Sequence, residues 1–183
     1  MKITILNGDI NDTNSDFTMY LNKLEGKLKK ENEVVKFDLK SMNLKYCTGC
    51  WSCWWKTPGL CAIKDDGEEI FRTIINSDFV IFASPLVAGF VSSELKKVTD
   101  RLVSLLHPYI IIKEKEFHHR KRYDSYPDFG VIIQAEEDTD QEDIRIVSDI
   151  YDRLALNFHA TKKYLRLAEK SSIKDIAYET CNN

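Results

Sequence analysis

The sequence predicts an α/β domain, doubly wound, in which a five-stranded parallel sheet carries helices on both faces. Three observations predict it. Short β-branched or aromatic runs of about five residues alternate with longer segments whose apolar residues recur every three or four positions, the rhythm of repeated strand–helix units. One run, Asp78 to Ser84, is apolar throughout its centre, as a strand covered on both faces must be. Hydrophobic residues make up 43% of the 183, enough for one sizeable core. Residues 1–183 therefore read as a single domain, with an inserted segment at about 107–128.

Each element follows from its pattern. Lys2 to Leu6 predicts a buried strand that ends in a turn at Asn7-Gly8. A polar stretch from Asp9 to Ser15 comes next. Phe17, Tyr20, Leu21, Leu24 and Leu28 then mark one helix face, with Thr13, Asn14 or Ser15 as its cap. Glu33 to Leu39 predicts a second strand. After a cysteine-rich loop, Asp65-Asp66 opens a helix through Ile70, Phe71, Ile74 and Ile75. Asp78 to Ser84 is the third strand, stopped by Pro85. Leu95, Val98, Leu102, Leu105 and Leu106 trace the next helix, with His107 at its end.

Residues 107–128 break the rhythm. Tyr109 to Ile112 and the charged run Lys113 to Lys121 read as a strand-like excursion or an elaborated loop. The rhythm resumes with a strand over Phe129 to Ala135, an acidic loop over Glu136 to Asp140, and a helix through Ile144, Val147, Ile150, Tyr151 and Leu154. A last strand lies around Lys163 to Leu167, and Tyr178 to Asn183 reads as a polar tail carrying Cys181. In such sheets ligands lie beyond the carboxyl ends of the strands, where strand order reverses. That rule points to the loops Asn7–Ser15, Ser84–Phe90 and Gln134–Asp140.

Composition narrows the function classes. Lys+Arg number 26 against 29 Asp+Glu, a formal −3, so no basic surplus exists for a nucleic-acid backbone. No apolar run reaches bilayer length, and Met1 to Gly8 turns polar too soon for an export leader. The expectation is a cytoplasmic protein with neither a nucleic-acid nor a membrane partner. In a reducing compartment, clustered cysteines hold metal or do redox work more often than they form disulfides. Four of the five cysteines are Cys47, Cys50, Cys53 and Cys61, interleaved with Trp51, Trp54 and Trp55. That spacing can wrap an iron–sulfur cube and fits tetrahedral zinc less well. The same stretch also reads as a compact aromatic wall with buried, inert thiols.

Three stretches together resemble a known family. They are Asn7-Gly8, the run Cys47-Thr48-Gly49-Cys50-Trp51 through Lys56-Thr57-Pro58-Gly59 to Cys61 and Lys64-Asp65-Asp66, and Ser84-Pro85 with Gly89, Ser93, Leu95-Lys96 and Asp100-Arg101. The chain is similar to the NADPH-dependent FMN reductases, in the branch of flavodoxin family proteins, and its cysteine run also resembles the iron–sulfur flavoproteins. His118-His119 with Arg122-Tyr123 and Tyr126-Pro127 resembles a further segment of that branch. The resemblance runs from residue 2 to about 130, with a weaker tail to about 165.

It implies a flavodoxin-like fold, bound FMN, hydride transfer from NAD(P)H through the flavin to a small-molecule or protein acceptor, and a homo-oligomer. The implied flavin contacts are Asp9, Thr13, Asn14 and Ser15 at the phosphate, and Pro85, Leu86, Val87, Ala88, Gly89 and Phe90 with Trp51 at the ring. No catalytic side chain is demanded. In place of the family's usual residues this chain has Asp9 and Asp12 in the first loop, Leu86 and Val87 in the second, and Glu136, Glu137 and Asp138 in the third. No Lys or Arg stands between Lys2 and Lys23. His118 to Arg122 forms a local basic run, read as a grip for the 2′-phosphate of NADPH or as a solvated loop. Asp100-Arg101 is read as a structural ion pair or hydrogen bonds behind the sheet. Two alternatives stand beside the reductase: an iron–sulfur electron carrier using the four cysteines, and a flavin-free interaction module.

Overall fold

The computed structural model describes residues 1–11 and 15–182. The first run forms β1 (Lys2–Asn7), buried from Ile3 onward. α1 (Asp16–Leu28) follows and buries Phe17, Leu21, Leu24 and Leu28, the spacing of one helix face. Ser15 is its cap, the hydroxyl accepting the Thr18 amide at 3.0 Å. The other two cap candidates, Thr13 and Asn14, lie outside the described residues, as does Asp12. The chain continues through β2 (Glu33–Asp38), α2 (Ser52–Trp55), α3 (Gly67–Ile75), β3 (Phe79–Val87), β4 (Phe90–Val91) and α4 (Ser93–Arg101). A 3₁₀ turn at Leu102–Leu105 leads to β5 (Leu106–Lys113), β6 (Glu116–Lys121), β7 (Asp128–Gln134), α5 (Gln141–Phe158), β8 (Lys162–Leu167) and α6 (Ile173–Cys181).

The main sheet has the order β2-β1-β3-β7-β8, each neighbouring pair parallel, with β4 folded back on β3. This is the expected five-stranded doubly wound sheet. Strand order reverses between β1 and β3. One face packs under α1 and α6 through Phe17, Leu21, Leu24 and Ile176. The other packs under α3, α4 and α5 through Ile70, Phe71, Leu95, Val98, Val147 and Tyr151.

Three local readings need correction, and one open alternative is decided. Pro85 does not stop the third strand: β3 runs on to Val87, because the ladder to β1 ends at Ala83 and leaves Pro85 a flank where no N–H is required. His107 lies in β5, since the helical pattern ends at Arg101 and the 3₁₀ turn breaks it. Of the two readings of residues 107–128, the strand-like excursion holds and the elaborated loop does not. Most of these residues form an antiparallel hairpin of β5 and β6, turned at Glu114 and Lys115 with φ +53° and +65°, the two-residue turn that matches strand twist. Tyr178 to Cys181 of the polar tail close a helix: Ile176, Ala177 and Thr180 bury one face of α6 against α1, and Ser172 caps it through the Asp175 amide.

Close packing sets one testable limit. A Cβ on Gly130 in β7 would lie 2.1 Å from Cζ of the buried Tyr164 ring, whose hydroxyl pairs with Thr180 at 2.9 Å. Gly130→Ala is expected to cost about 1–3 kcal/mol through forced displacement of that ring. The urea midpoint reports it, and a midpoint equal to wild type would contradict this contact.

Candidate functional site

The carboxyl end of β1 is tied to β3. The Gly8 amide donates to the Ala83 carbonyl at 2.8 Å, and the Ser92 hydroxyl donates to the Gly8 carbonyl at 2.5 Å. Ser92 in turn gives its amide to the Ser84 hydroxyl at 2.8 Å. First and second loops are thus locked together at the point where strand order reverses.

Asn7 organises the first loop. Its side-chain nitrogen donates to Asp38 at 2.8 Å and Thr18 at 3.1 Å, and its side-chain oxygen accepts the Asp9 amide at 3.1 Å. Asp9 is only 4% exposed. Its carboxylate accepts from the Asn11 amide at 2.9 Å, the Thr18 hydroxyl at 3.0 Å and the Ser15 hydroxyl. Its charge is turned into the loop, where three donors hold it.

The missing base comes from elsewhere in the chain. Lys40, in the 3₁₀ turn after β2, donates Nζ to the Asn11 carbonyl at 2.8 Å. Local sequence around the first loop carries no sign of Lys40. The parallel register does, since Asn7 stands opposite Asp38 and the chain passes on from there.

Pro85, Leu86, Val87, Ala88, Gly89 and Phe90 form the hairpin of β3 and β4, with Leu86 opposite Val91 and Val87 opposite Phe90. Ala88 and Gly89 turn it at φ +50° and +74°. A Cβ on Gly89 would meet the Asp143 carboxylate at 2.4 Å, so the hairpin tip rests on the start of α5. Pro85 and Leu86 are buried, Gly89 and Phe90 half-buried, Val87 and Ala88 exposed. In the third loop Glu136, Glu137 and Asp138 point to solvent. Asp140 caps α5 through the amides of Glu142 and Asp143, and the Asp143 carboxylate returns a bond to the Asp140 amide.

The cysteine loop is pinned at its two ends by one acid. Asp65 accepts from the Lys45 amide at 2.8 Å, the Gly67 amide at 3.1 Å, and both terminal nitrogens of Arg101 at 2.7 and 2.8 Å. Arg101 also donates to the Lys45 carbonyl at 3.1 Å, lies over the Phe71 ring and is 2% exposed. This is the structural ion pair expected of Arg101, made to Asp65 and not to its neighbour Asp100. Inside the loop Trp51 adopts φ +60°, an outlier for a bulky side chain. Trp54 anchors the turn by donating Nε1 to the carbonyls of Val103 and Leu106. Its ring meets Trp51 at 4.9 Å and His119 at 4.8 Å.

A cavity of about 210 Å³ opens here, with Cys47, Cys50, Cys53 and Cys61 on its wall beside Arg101 and Ser104. Trp51 lines it too, so the structure sets Trp51 with the thiols. Burial and then the charges of Cys61, Cys47 and Cys50 push the Cys53 thiol up. Hydrogen bonds from the Ser52 amide, the Ser52 hydroxyl and Thr48 pull Cys50 down toward the thiolate. Burial pulls the Arg101 guanidinium down, and Asp65 with the nearby Cys61 sulfur overcomes this and raises it.

Four cysteine sulfurs ringing one space are a soft donor set for a multi-atom metal–sulfur group. Among the described residues no three such side chains converge on a single ion-sized point. The reading of buried, inert thiols is overturned, because Cys47 and Cys50 are exposed and Cys53 and Cys61 half-buried. The tryptophan wall reduces to Trp54, since Trp51 and Trp55 are 58% and 68% exposed.

The basic run is split by strand alternation. His118 is buried, with Nε2 3.4 Å from Glu116. His119 packs on Trp54, and burial lowers its pKa. Arg122 donates to the Leu106 carbonyl at 3.0 Å, and only Arg120 and Lys121 face solvent fully. No helix among the described residues is long and apolar enough to cross a membrane.

An iron-sulfur flavoprotein of Archaeoglobus fulgidus is 39% identical over 75 residues, covering 41% of this chain and 33% of that protein. An iron-sulfur flavoprotein of Clostridioides difficile (strain 630) is 36% identical over 109 residues, covering 58% and 48%. The chain thus spans about a third to a half of the length of these curated relatives. Among solved structures, an FMN-dependent NADH-azoreductase of Bacillus anthracis in complex with FMN superposes with a TM-score of 0.62 at 13% identity, over 98% of this chain and 94% of that one. A Trp repressor binding protein of Bacillus subtilis gives 0.56 at 16%, over 90% and 84%. These structural likenesses concern the fold. The family pattern described as NADPH-dependent FMN reductase matches residues 1–121, and the chain belongs to that family.

Proposed function

We propose that this chain binds FMN across the β1–β3 edge and carries electrons from a nicotinamide donor to a small-molecule or protein acceptor. One observation carries the reading: the first and second loops are locked to each other at the strand-order reversal by Gly8, Ala83, Ser84 and Ser92. The residues fit a phosphate there, because Asp9 is turned inward and Lys40 is brought to the loop. α1 begins directly after this loop, and a helix N-terminus favours an anion. The Ser15 hydroxyl already serves Asp9 and Thr18, so Ser15 contributes position and backbone. The β3–β4 hairpin, with Phe90 as its aromatic residue, offers a rigid edge for a ring. When bound, FMN supplies two-electron chemistry, and the protein supplies placement and exclusion of water. NADPH as donor, a cytoplasmic setting and a homodimer complete the proposal. The exposed Ile110, Ile112 and Phe117 of the β5–β6 hairpin support self-association.

Lys40 tests it. Lys40→Ala is expected to weaken FMN binding about tenfold through loss of one charge-assisted contact, with the melting temperature unchanged. Fluorescence titration reads the affinity, and an unaltered dissociation constant would place the phosphate elsewhere.

A second group is favoured by the thiol cavity. Cys47, Cys50, Cys53 and Cys61 are set to hold an iron–sulfur cluster that relays single electrons. Iron and acid-labile sulfide assays on anaerobically prepared protein test that reading directly.

A further inference from the structure

We infer that Arg101 and Ser104 are hydrogen-bond donors to the cluster sulfurs and raise the cluster's reduction potential. The inference rests on the reading that the thiol cavity holds a cluster. Arg101 uses its two terminal nitrogens on Asp65 and the Lys45 carbonyl, and its Nε is buried without a partner among the described residues. The Ser104 hydroxyl is equally buried and equally without one. Both residues are 2% exposed, and both line the cavity that the four thiols line. A buried donor left unmade is costly, and these two belong to residues that line the same cavity as the four thiols.

The arrangement is also rigid. Asp65 grips the guanidinium at two points and the Phe71 ring lies against it, so Nε is held in place before any acceptor arrives. The Cys61 sulfur stands beside that guanidinium, and as a thiolate ligand it is one acceptor for Nε. Taking one electron makes a cluster more negative and its sulfurs better acceptors. Donors therefore stabilise the reduced form, and removing them lowers the potential.

The test compares the reconstituted wild-type chain with Ser104→Ala, Ser104→Thr and Arg101→Lys. Each is assayed for iron and sulfide, and each is titrated with dithionite while the reduced cluster is followed by electron paramagnetic resonance. Ser104→Ala should keep its iron and sulfide and shift the oxidised-to-reduced ratio about tenfold toward oxidised, which is about 59 mV for one electron. Ser104→Thr retains the hydroxyl and should titrate like wild type. Arg101→Lys lacks Nε and should also titrate lower; its melting curve shows whether the buried ion pair survives. Loaded proteins with unchanged potentials in both Ser104→Ala and Arg101→Lys would overturn the inference and leave the cluster standing. Wild type that takes up no iron or sulfide would overturn the cluster reading, and the inference with it.

Discussion

Asp65→Ala is expected to destabilise the protein by about 3–5 kcal/mol, the usual consequence of stranding one member of a buried ion pair. The loss is large because Asp65 does three things at once. It neutralises a guanidinium that is 2% exposed, satisfies the amides of Lys45 and Gly67, and so closes the two ends of the cysteine loop on each other. Without it Arg101 stays buried as an uncompensated charge. Chemical denaturation at neutral pH measures the difference, and a loss below about 1 kcal/mol would mean that the pair is readily resolvated.

The same residue sets a pH dependence. Burial alone would raise the Asp65 carboxyl, but hydrogen bonds from Arg101, Lys45 and Gly67, with the Arg101 charge, hold it below its ordinary value. A carboxyl depressed in the folded state contributes stability that is complete above its unfolded pKa of about 3.9. That contribution is lost as pH falls through the folded value. The gap between wild type and Asp65→Ala should therefore be constant from pH 7 to about pH 5 and narrow below about pH 4.

Cys50→Ser is expected to lower iron and sulfide content at least about tenfold, because serine replaces a thiolate ligand with a harder and more basic group. Cys50 is exposed, so the sheet should remain intact and FMN uptake should be unaffected. Its thiol is drawn toward the thiolate by Ser52 and Thr48. Unchanged metal content in Cys50→Ser would remove the cluster from the account while leaving the flavin untouched.

The sheet was legible because its strands are buried on both faces. Ile3 to Leu6, Phe79 to Ala83 and Phe129 to Ile133 announce themselves as apolar runs, and Leu21, Leu24, Leu95 and Val98 keep helical spacing. Signals that depend on partners were harder to read. Pro85 reads as a stop until the ladder beside it is seen to have ended. The β5–β6 hairpin has no glycine at its turn, and its outward Ile110, Ile112 and Phe117 blur the alternation that marks a half-buried strand. α6 was the most recoverable miss: Ser172 three residues before Asp175, followed by Ile176 and Ala177, is a helix start.

At the site, loop positions follow from strand order, whereas side-chain roles do not. Asp9 carries a negative charge at a loop implied to meet a phosphate, and only its three donors reveal that the carboxylate faces inward. Lys40 is remote in sequence from the loop it serves. Sequence spacing proposed the four cysteines as a set, but it could not show that Arg101 and Ser104 share their cavity.

The most direct measurement is an anaerobic absorption spectrum of the purified protein, before and after addition of FMN. Saturable uptake is expected, with the flavin bands shifting on binding and a broad brown shoulder beyond them once iron and sulfide are supplied. A colourless protein that leaves added FMN free in solution would contradict the account and make the chain a flavin-free module on a flavodoxin-like fold.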